Sequence, residues 1–470
     1  MARILAGPAT TGEPAGTEAG LLTGATIADA ITPRFTSLPP HGDPVRMRAR
    51  GVQTIGSGLQ VAIGLGLWNL GNYAFFLLAG RVLGPADYGL VAAILSGVLV
   101  IQTPFTSLQT ALARVVSAVP SAEGAALYRT ALRRALRWTP AGAALAAAAV
   151  VLAGVVRDGV PVGPLLAAIL VLLPVAVFPL ALGQLQGERR FGRYALSMAS
   201  FGLPRPLMLL PLLALGLGVY AALLGTAATT VLAGVVAVLF TADRLREAVP
   251  GPPQAHHARA MATSLAPLVA GVTAVAVMSN LDVIAAKLAL DPVEAGLFAS
   301  AAVVAKAVFL VPQAITIVLL PRVAQRHAAG GATAELLAVS LGATLLIGAA
   351  CSLIALAFAE PIMTLTFGDE FADSAAILPE LTAAMTLIGA SLTLLYHQVA
   401  LGSYRVAWLL AGTAGVLAVG LALVHGSPEA IVAVDATVAA GALIAHDLIG
   451  AGSGDTILAG LRALLRRARP

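Results

Sequence analysis

The run VYAALLGTAATTVLAGVVAVLF, Val219–Phe240, holds 22 residues without one charged side chain. As an α-helix it is about 30 Å long, the thickness of a bilayer's hydrocarbon core. Working outward from it, runs of the same kind lie at 58–79, 89–111, 139–156, 162–182, 195–217, 264–286, 293–320, 335–357, 375–399, 406–425 and 430–449. With 219–240 as the sixth, they make twelve candidate spans, numbered 1 to 12 in chain order. The composition agrees: 59% of the 470 residues are apolar and 11% charged, against about 45–50% and about 25% in a soluble domain. In water such a chain would lack the polar side chains to cover its surface. A membrane β-barrel would instead alternate apolar and polar residues over segments of about ten. The expected class is therefore all-α and polytopic, about 12 transmembrane helices.

The distribution of the 28 Lys and Arg residues tests that count. With the N-terminus inside, 23 of them fall in the cytoplasmic tails and loops, among them Arg129, Arg133, Arg134 and Arg137 in the stretch 112–138. Only Arg81, Arg157 and Lys287 fall outside, while Arg205 and Lys306 lie within spans. A miscounted span would reverse the bias beyond it, so both termini are expected in the cytoplasm. The same distribution accounts for the basic balance of the chain without a nucleic-acid partner. Basic loops also draw anionic lipid headgroups.

Residues 1–57 lack periodicity and read as a disordered cytoplasmic extension that includes the cluster Arg46, Arg48 and Arg50. An overextended start is the other reading of residues 1–50. The expected organisation beyond it is an N-lobe over 58–240, a cytoplasmic linker over 241–263, a C-lobe over 264–449 and a basic cytoplasmic tail over 450–470.

The chain also repeats itself. Gly84-Pro-Ala-Asp-Tyr-Gly-Leu90 between spans 1 and 2 returns as Asp291-Pro-Val-Glu-Ala-Gly-Leu297 between spans 7 and 8, an offset of 207. Farther on, Pro104 matches Pro312 and Arg114 matches Arg322, so one residue has been inserted. Six spans separate the copies, and an even number leaves both pointing the same way. Two parallel six-helix lobes are expected, related by an axis along the membrane normal, the build of transporters with an alternately accessible cavity.

Several segments, in order and on repeat-consistent loops, resemble one family. They are Ala79-Gly-Arg-Val-Leu-Gly-Pro-Ala-Asp-Tyr-Gly-Leu90, Leu185-Gln-Gly-Glu-Arg-Arg-Phe-Gly-Arg193, Asn280-Leu-Asp-Val-Ile-Ala-Ala-Lys287, Val311-Pro-Gln313 with Pro321-Arg-Val323, and Leu365-Thr-Phe-Gly-Asp-Glu-Phe371. Together they look like the polysaccharide-transport branch of the multidrug/oligosaccharidyl-lipid/polysaccharide (MOP) exporter superfamily, over about residues 58–450. The resemblance implies a MATE-like, V-shaped transporter of twelve or fourteen helices. It would move a prenyl-pyrophosphate-linked oligosaccharide across the cytoplasmic membrane, beside a glycan polymerase or glycosyltransferases and without a cofactor. Through its segments Arg81, Asn280 and Lys287 join the candidate site.

Within the spans, charged residues mark function because lipid makes them costly, about 2.5–3.5 kcal/mol for a central arginine. Arg205, bracketed by Pro204 and Pro206 about ten residues into span 5, suits an anionic pyrophosphate or else a carboxylate on a neighbouring helix. Lys306 sits at similar depth in span 8, one of only two lysines in the chain. Asp282 in span 7 either pairs with Lys287 or holds a coupling proton or Na⁺. Glu380 and Asp435 are further ion-coupling candidates, both read as interfacial, and His397 ends span 10. No phosphate-binding G-x-x-x-x-G-K-[ST] or H-E-x-x-H motif occurs, and the lone Cys351 rules out an intrachain disulfide. A cation-coupled drug exporter, a peptidoglycan-precursor flippase and, with Asp369, Glu370 and Asp373 on the longest outer loop at about 358–374, a glycan polymerase are the other readings.

Overall fold

A computed structural model describes residues 44–156, 161–247, 255–424, 426–450 and 456–467. Among them every regular element is an α- or 3-10 helix. Residues 1–43, most of the expected extension, lie outside the described residues, as do the side chains of Arg46, Arg48 and Arg50. The first helix, Pro44–Ala118, reaches back into the stretch read as disordered.

Ten described helices are long and apolar enough to cross a membrane, and the pair Leu265–Met278 and Leu281–Ala289, bent by 41°, makes one more. The first of the ten is itself two crossings. It carries Gly84 at φ 70°, a conformation that costs glycine little and other residues much, with Pro85 next in the chain. Past this point the chain runs back: Gln60 on one arm lies beside Gly192, and Gln109 on the other is 3.5 Å from the Tyr194 hydroxyl. The arms on either side of Gly84 are spans 1 and 2. The rest follow as Ser121–Val156, Val162–Gly187, Phe191–Ala214 and Val219–Phe240 in the first lobe. The bent pair, Pro292–Ile315, Ala334–Phe367, Leu378–Ala400, Arg405–Leu423 and Pro428–Ile449 form the second. Twelve passes in two sets of six agree with the sequence expectation. Leu145, Val155, Leu346 and Leu356 are exposed on the outside of the bundle, the apolar coat that lipid requires.

Two loops turn out to be helix. Span 3 begins at Ser121, so Arg129, Arg133, Arg134 and Arg137 ride on its first turns. Most of the stretch 358–374 continues span 9, which ends only at Phe367 after an irregular residue at Phe358. A 3-10 segment, Asp369–Ala376, completes the turn. The long outer loop that a polymerase reading needs is therefore a short cap.

The repeat has a physical counterpart where the lobes meet. Gly89 and Gly296, equivalent positions of the two copies, face each other: a Cβ on Gly89 would lie 2.7 Å from the Gly296 nitrogen, and one on Gly296 only 1.8 Å from the Pro85 carbonyl oxygen. A residue that meets its own equivalent lies on a two-fold axis, which places the pseudo-symmetry axis here. The contact is at the face opposite the arginine-rich turns, called the far face below; the other is the basic face. Around it, Tyr88 packs edge-on against Phe367 and Phe371 at centroid distances of 5.4 and 5.8 Å. Arg81 donates to the carbonyls of Leu365 and Thr366 at the end of span 9. The far face is sealed.

On the basic face the turn between spans 4 and 5 binds the end of span 6 by charge. Arg190 reaches Asp243 at 2.9 Å and Glu188 at 3.3 Å, and Arg244 reaches Glu188 at 2.6 Å. Burial alone would raise the Asp243 carboxyl, but the hydrogen bond from Arg190 and the charges of Arg190 and Arg244 outweigh it and hold it below its ordinary value. A carboxyl so depressed stabilises the fold above about pH 5 and loses that contribution as pH falls below about 4. Asp243→Asn is expected to melt slightly lower than the natural chain at pH 7 and to converge with it under acid. A melting curve unchanged at both pH values would show the cluster to be energetically idle.

Candidate central cavity

Four spans are interrupted at mid-membrane, and the candidate residues sit at three of the interruptions. Span 5 stops at Gly202 and restarts at Pro204; proline without an N–H is at home in a first helical turn, and it sets Arg205 in that turn. Span 7 breaks at Ser279 and Asn280 and resumes at Leu281, so Asp282 lies at a helix N-terminus, where a negative charge is favoured. Span 8 passes through one 3-10 turn, Lys306–Phe309. Span 4 is also broken, between Leu172 and Val177. Broken spans are where transporters of this build expose backbone and hold cargo or ions.

The breaks border a cavity of about 330 Å³ between the lobes. Its charged lining residues are Arg205 and Lys306, and among the described residues no acid lines it. Asn69, Asn72, Gln102, Asn280 and Gln313 supply carboxamides, and Trp68, Tyr73 and Phe76 aromatic faces. The position equivalent to Lys306 in the first lobe falls at Val98 or Leu99, depending on the insertion; both line the same cavity. The cavity thus lies close to the pseudo-axis, with a cation contributed by each lobe at unrelated positions.

Arg205 is almost wholly enclosed, 5% exposed. Its guanidinium lies 4.1 Å over the ring of Phe75, a favourable cation–π geometry. It donates to the Thr226 hydroxyl at 3.3 Å through Nε and Nη2, and through Nη1 to the Asn72 carboxamide oxygen. Close backbone approach makes the Asn72 contact feasible: a Cβ on Gly71 would stand 2.1 Å from the Gly202 carbonyl oxygen, the small-residue packing of membrane helices. Among the described residues no carboxylate pairs with Arg205. The acidic partner that would make it a structural lock is missing.

Lys306 behaves differently. Its ammonium is 3.8 Å from Asp282 Oδ1 and 3.4 Å from the Asn280 oxygen. Of the two readings open for Asp282, the pair with Lys287 does not form: at i+5 the two leave the helix on different faces, and Asp282 faces Lys306 of span 8. Asp282 is fully buried, and neither carboxylate oxygen accepts a hydrogen bond. Asp435, read as interfacial, is also corrected. It is 1% exposed and its oxygens likewise accept no hydrogen bond. Glu380 is exposed at the start of span 10, away from this cluster.

Two further candidates lie elsewhere. Arg81 is in the far-face seal, and Lys287 is near the far-face turn, where its charge acts on Asp291. The structure adds Asn72, Thr226 and Phe75, which hold Arg205. Asn69, Asn72 and Gln102 were legible as polar residues inside apolar runs, a signal weaker than charge because an uncharged amide costs less to bury.

The fold is the one shared by solved MATE and MurJ transporter structures. No family model matches the sequence, and no curated relative matches it. Among solved structures, it is similar to an inward-facing multidrug resistance MATE family transporter of the MOP superfamily: TM-score 0.63, 14% identity, 87% of this chain and 100% of that one. The lipid II flippase MurJ in an inward closed conformation aligns at TM-score 0.61 and 10% identity, over 87% of this chain and 91% of that one. A MOP transporter from Pyrococcus furiosus, described as having a binding pocket of reversed polarity, aligns at 0.57 and 16% identity over 83% and 93%. At these identities the likeness is one of fold.

Proposed function

We propose that this protein is a flippase that carries a prenyl-pyrophosphate-linked oligosaccharide across the cytoplasmic membrane for cell-surface polysaccharide assembly, by alternating access between its lobes. The observation that carries the reading is the sign of the cavity: its charged lining residues are Arg205 and Lys306. A cationic drug would meet repulsion there, whereas a pyrophosphate gains charge-assisted bonds from a guanidinium and an ammonium. The carboxamides suit sugar hydroxyls and the aromatic faces suit sugar rings. At about 330 Å³ the cavity is at the lower end for small-molecule sites, enough for the pyrophosphate end of the cargo while the prenyl tail stays in lipid.

In this reading the basic face is cytoplasmic, as the arginine distribution expects, and loading takes place from that side. Asp282 and Asp435 are the coupling groups, and Glu380 is not. The likeness to a lipid II flippase favours a peptidoglycan precursor as the second cargo of the same chemistry. The test is leaflet translocation in proteoliposomes of a fluorescent prenyl-pyrophosphate glycan, with an uncharged prenyl glycoside as comparison. The natural chain is expected to move only the first, and Arg205→Gln and Lys306→Gln to lose at least tenfold in rate while folded. Equal transport of both lipids, or full rates in both variants, would overturn the reading.

A further inference from the structure

Lys306 borders two environments at once. Its side chain is 19% exposed and lines the cavity, while 3.8 Å behind it lies a carboxylate with no exposure. Asp435, 1% exposed, is carried by span 12, which packs against the helix that holds Asp282. The other charged or titratable residues of the spans packed around Asp282 include Arg81, Asp87, Lys287, Glu294 and Glu429 toward the far face, and Arg114, Arg405, His446 and Asp447 toward the basic face. Tyr73 is the remaining titratable group that lines the cavity. The resting contact is one ion pair, Asp282 with Lys306, and in a low-dielectric interior a carboxylate that loses its partner is driven to the neutral acid.

We infer that Lys306 is an exchange residue: an anionic cargo draws its ammonium off Asp282, and Asp282 takes up a proton in return. The inference rests on the proposed pyrophosphate cargo. The separation already favours it, because 3.8 Å is an ion pair without a hydrogen bond, and the Asn280 oxygen at 3.4 Å offers the ammonium a neutral partner on the way. One ammonium carries one charge. Committed to a multiply charged anion, it no longer neutralises a carboxylate whose remaining support is the helix N-terminus at Leu281. Atoms balance: no covalent bond changes except one O–H, formed on Asp282 with a proton from solvent. Cargo affinity is thereby linked to pH through a residue that never touches the cargo.

The experiment titrates the full-length protein with farnesyl pyrophosphate in Na⁺-free buffers of different ionisation enthalpy, between pH 7.5 and 8.5, where the probe stays ionised. Calorimetry is expected to show about one proton taken up per probe bound, and affinity rising close to tenfold per unit fall in pH, the limit for one linked proton. Asp282→Asn is expected to bind with no uptake and a flat pH profile, and Asp435→Asn to keep the uptake. Binding to the natural chain without proton uptake, or uptake that survives in Asp282→Asn, overturns the exchange and leaves the cargo reading intact. No binding to the natural chain overturns both. Should Asp282→Asn fail to fold, the natural chain and Asp435→Asn still decide.

Discussion

Gly296→Val is expected to abolish transport, with a fall of more than 100-fold in turnover, while leaving each lobe folded. A valine there needs room where the Pro85 carbonyl stands, 1.8 Å from its first side-chain atom. Neither partner can yield, because both are backbone within helices packed on their other sides. The lobes must part at the far face, so the variant cannot reach the sealed conformation and cannot cycle. Accessibility reports the state directly. A cysteine placed at the cavity residue Ser96, with Cys351 replaced by serine, is expected to react with an impermeant thiol reagent from the far side in the valine variant and to be protected in its absence. Gly89→Ala should have the same effect more weakly, since its Cβ meets the Gly296 nitrogen at 2.7 Å. Normal turnover with a protected cysteine would show that the glycine contact does not form the gate.

The second large effect is on stability. Lys306→Met is expected to destabilise the protein by about 3–5 kcal/mol at pH 8, the range for removing one partner of a buried ion pair. The loss comes from Asp282, which is fully buried and accepts no hydrogen bond. Adding Asp282→Asn to Lys306→Met removes the stranded charge and should restore most of the stability without restoring transport. Thermal unfolding of the two variants beside the natural chain measures the difference. A single variant as stable as the natural chain, or a double variant no better than the single, would mean that the Lys306 contact contributes little.

Sequence reasoning reached the fold because the lipid solvent leaves a coarse signal: apolar runs of fixed length, arginines on alternate turns, and a loop motif repeated at an offset of 207. It singled out Arg205 because a charge between two prolines inside an apolar run is costly in lipid. Lys306 was found by its charge, but the 3-10 turn beneath it carries no proline or glycine to announce it. The break at Asn280 was equally silent. For Asp282 two readings stood open, a pair with Lys287 or a coupling ion, and neither named Lys306, because pairing across helices is decided by packing that no local spacing records. Asp435 looked interfacial because its depth was counted from the end of a span. How deeply it is buried depends on which neighbours surround it. Arg81 and Lys287 entered on the resemblance and on their position in motifs, and the structure gives them to the far-face seal and turn.

The uncharged lining of the cavity has a consequence for what the protein can tell apart. Of its five carboxamides, Asn69, Asn72 and Asn280 are held by hydrogen bonds to backbone carbonyls. Gln102 and Gln313 each offer a donor and an acceptor on one group, and turning that group about its last bond exchanges them. A hydroxyl that points up or down from a sugar ring finds a partner either way, so epimers should pass alike. Selectivity between glycans of different stereochemistry then belongs to the enzymes that build the cargo, and the transporter enforces only the anion at its end.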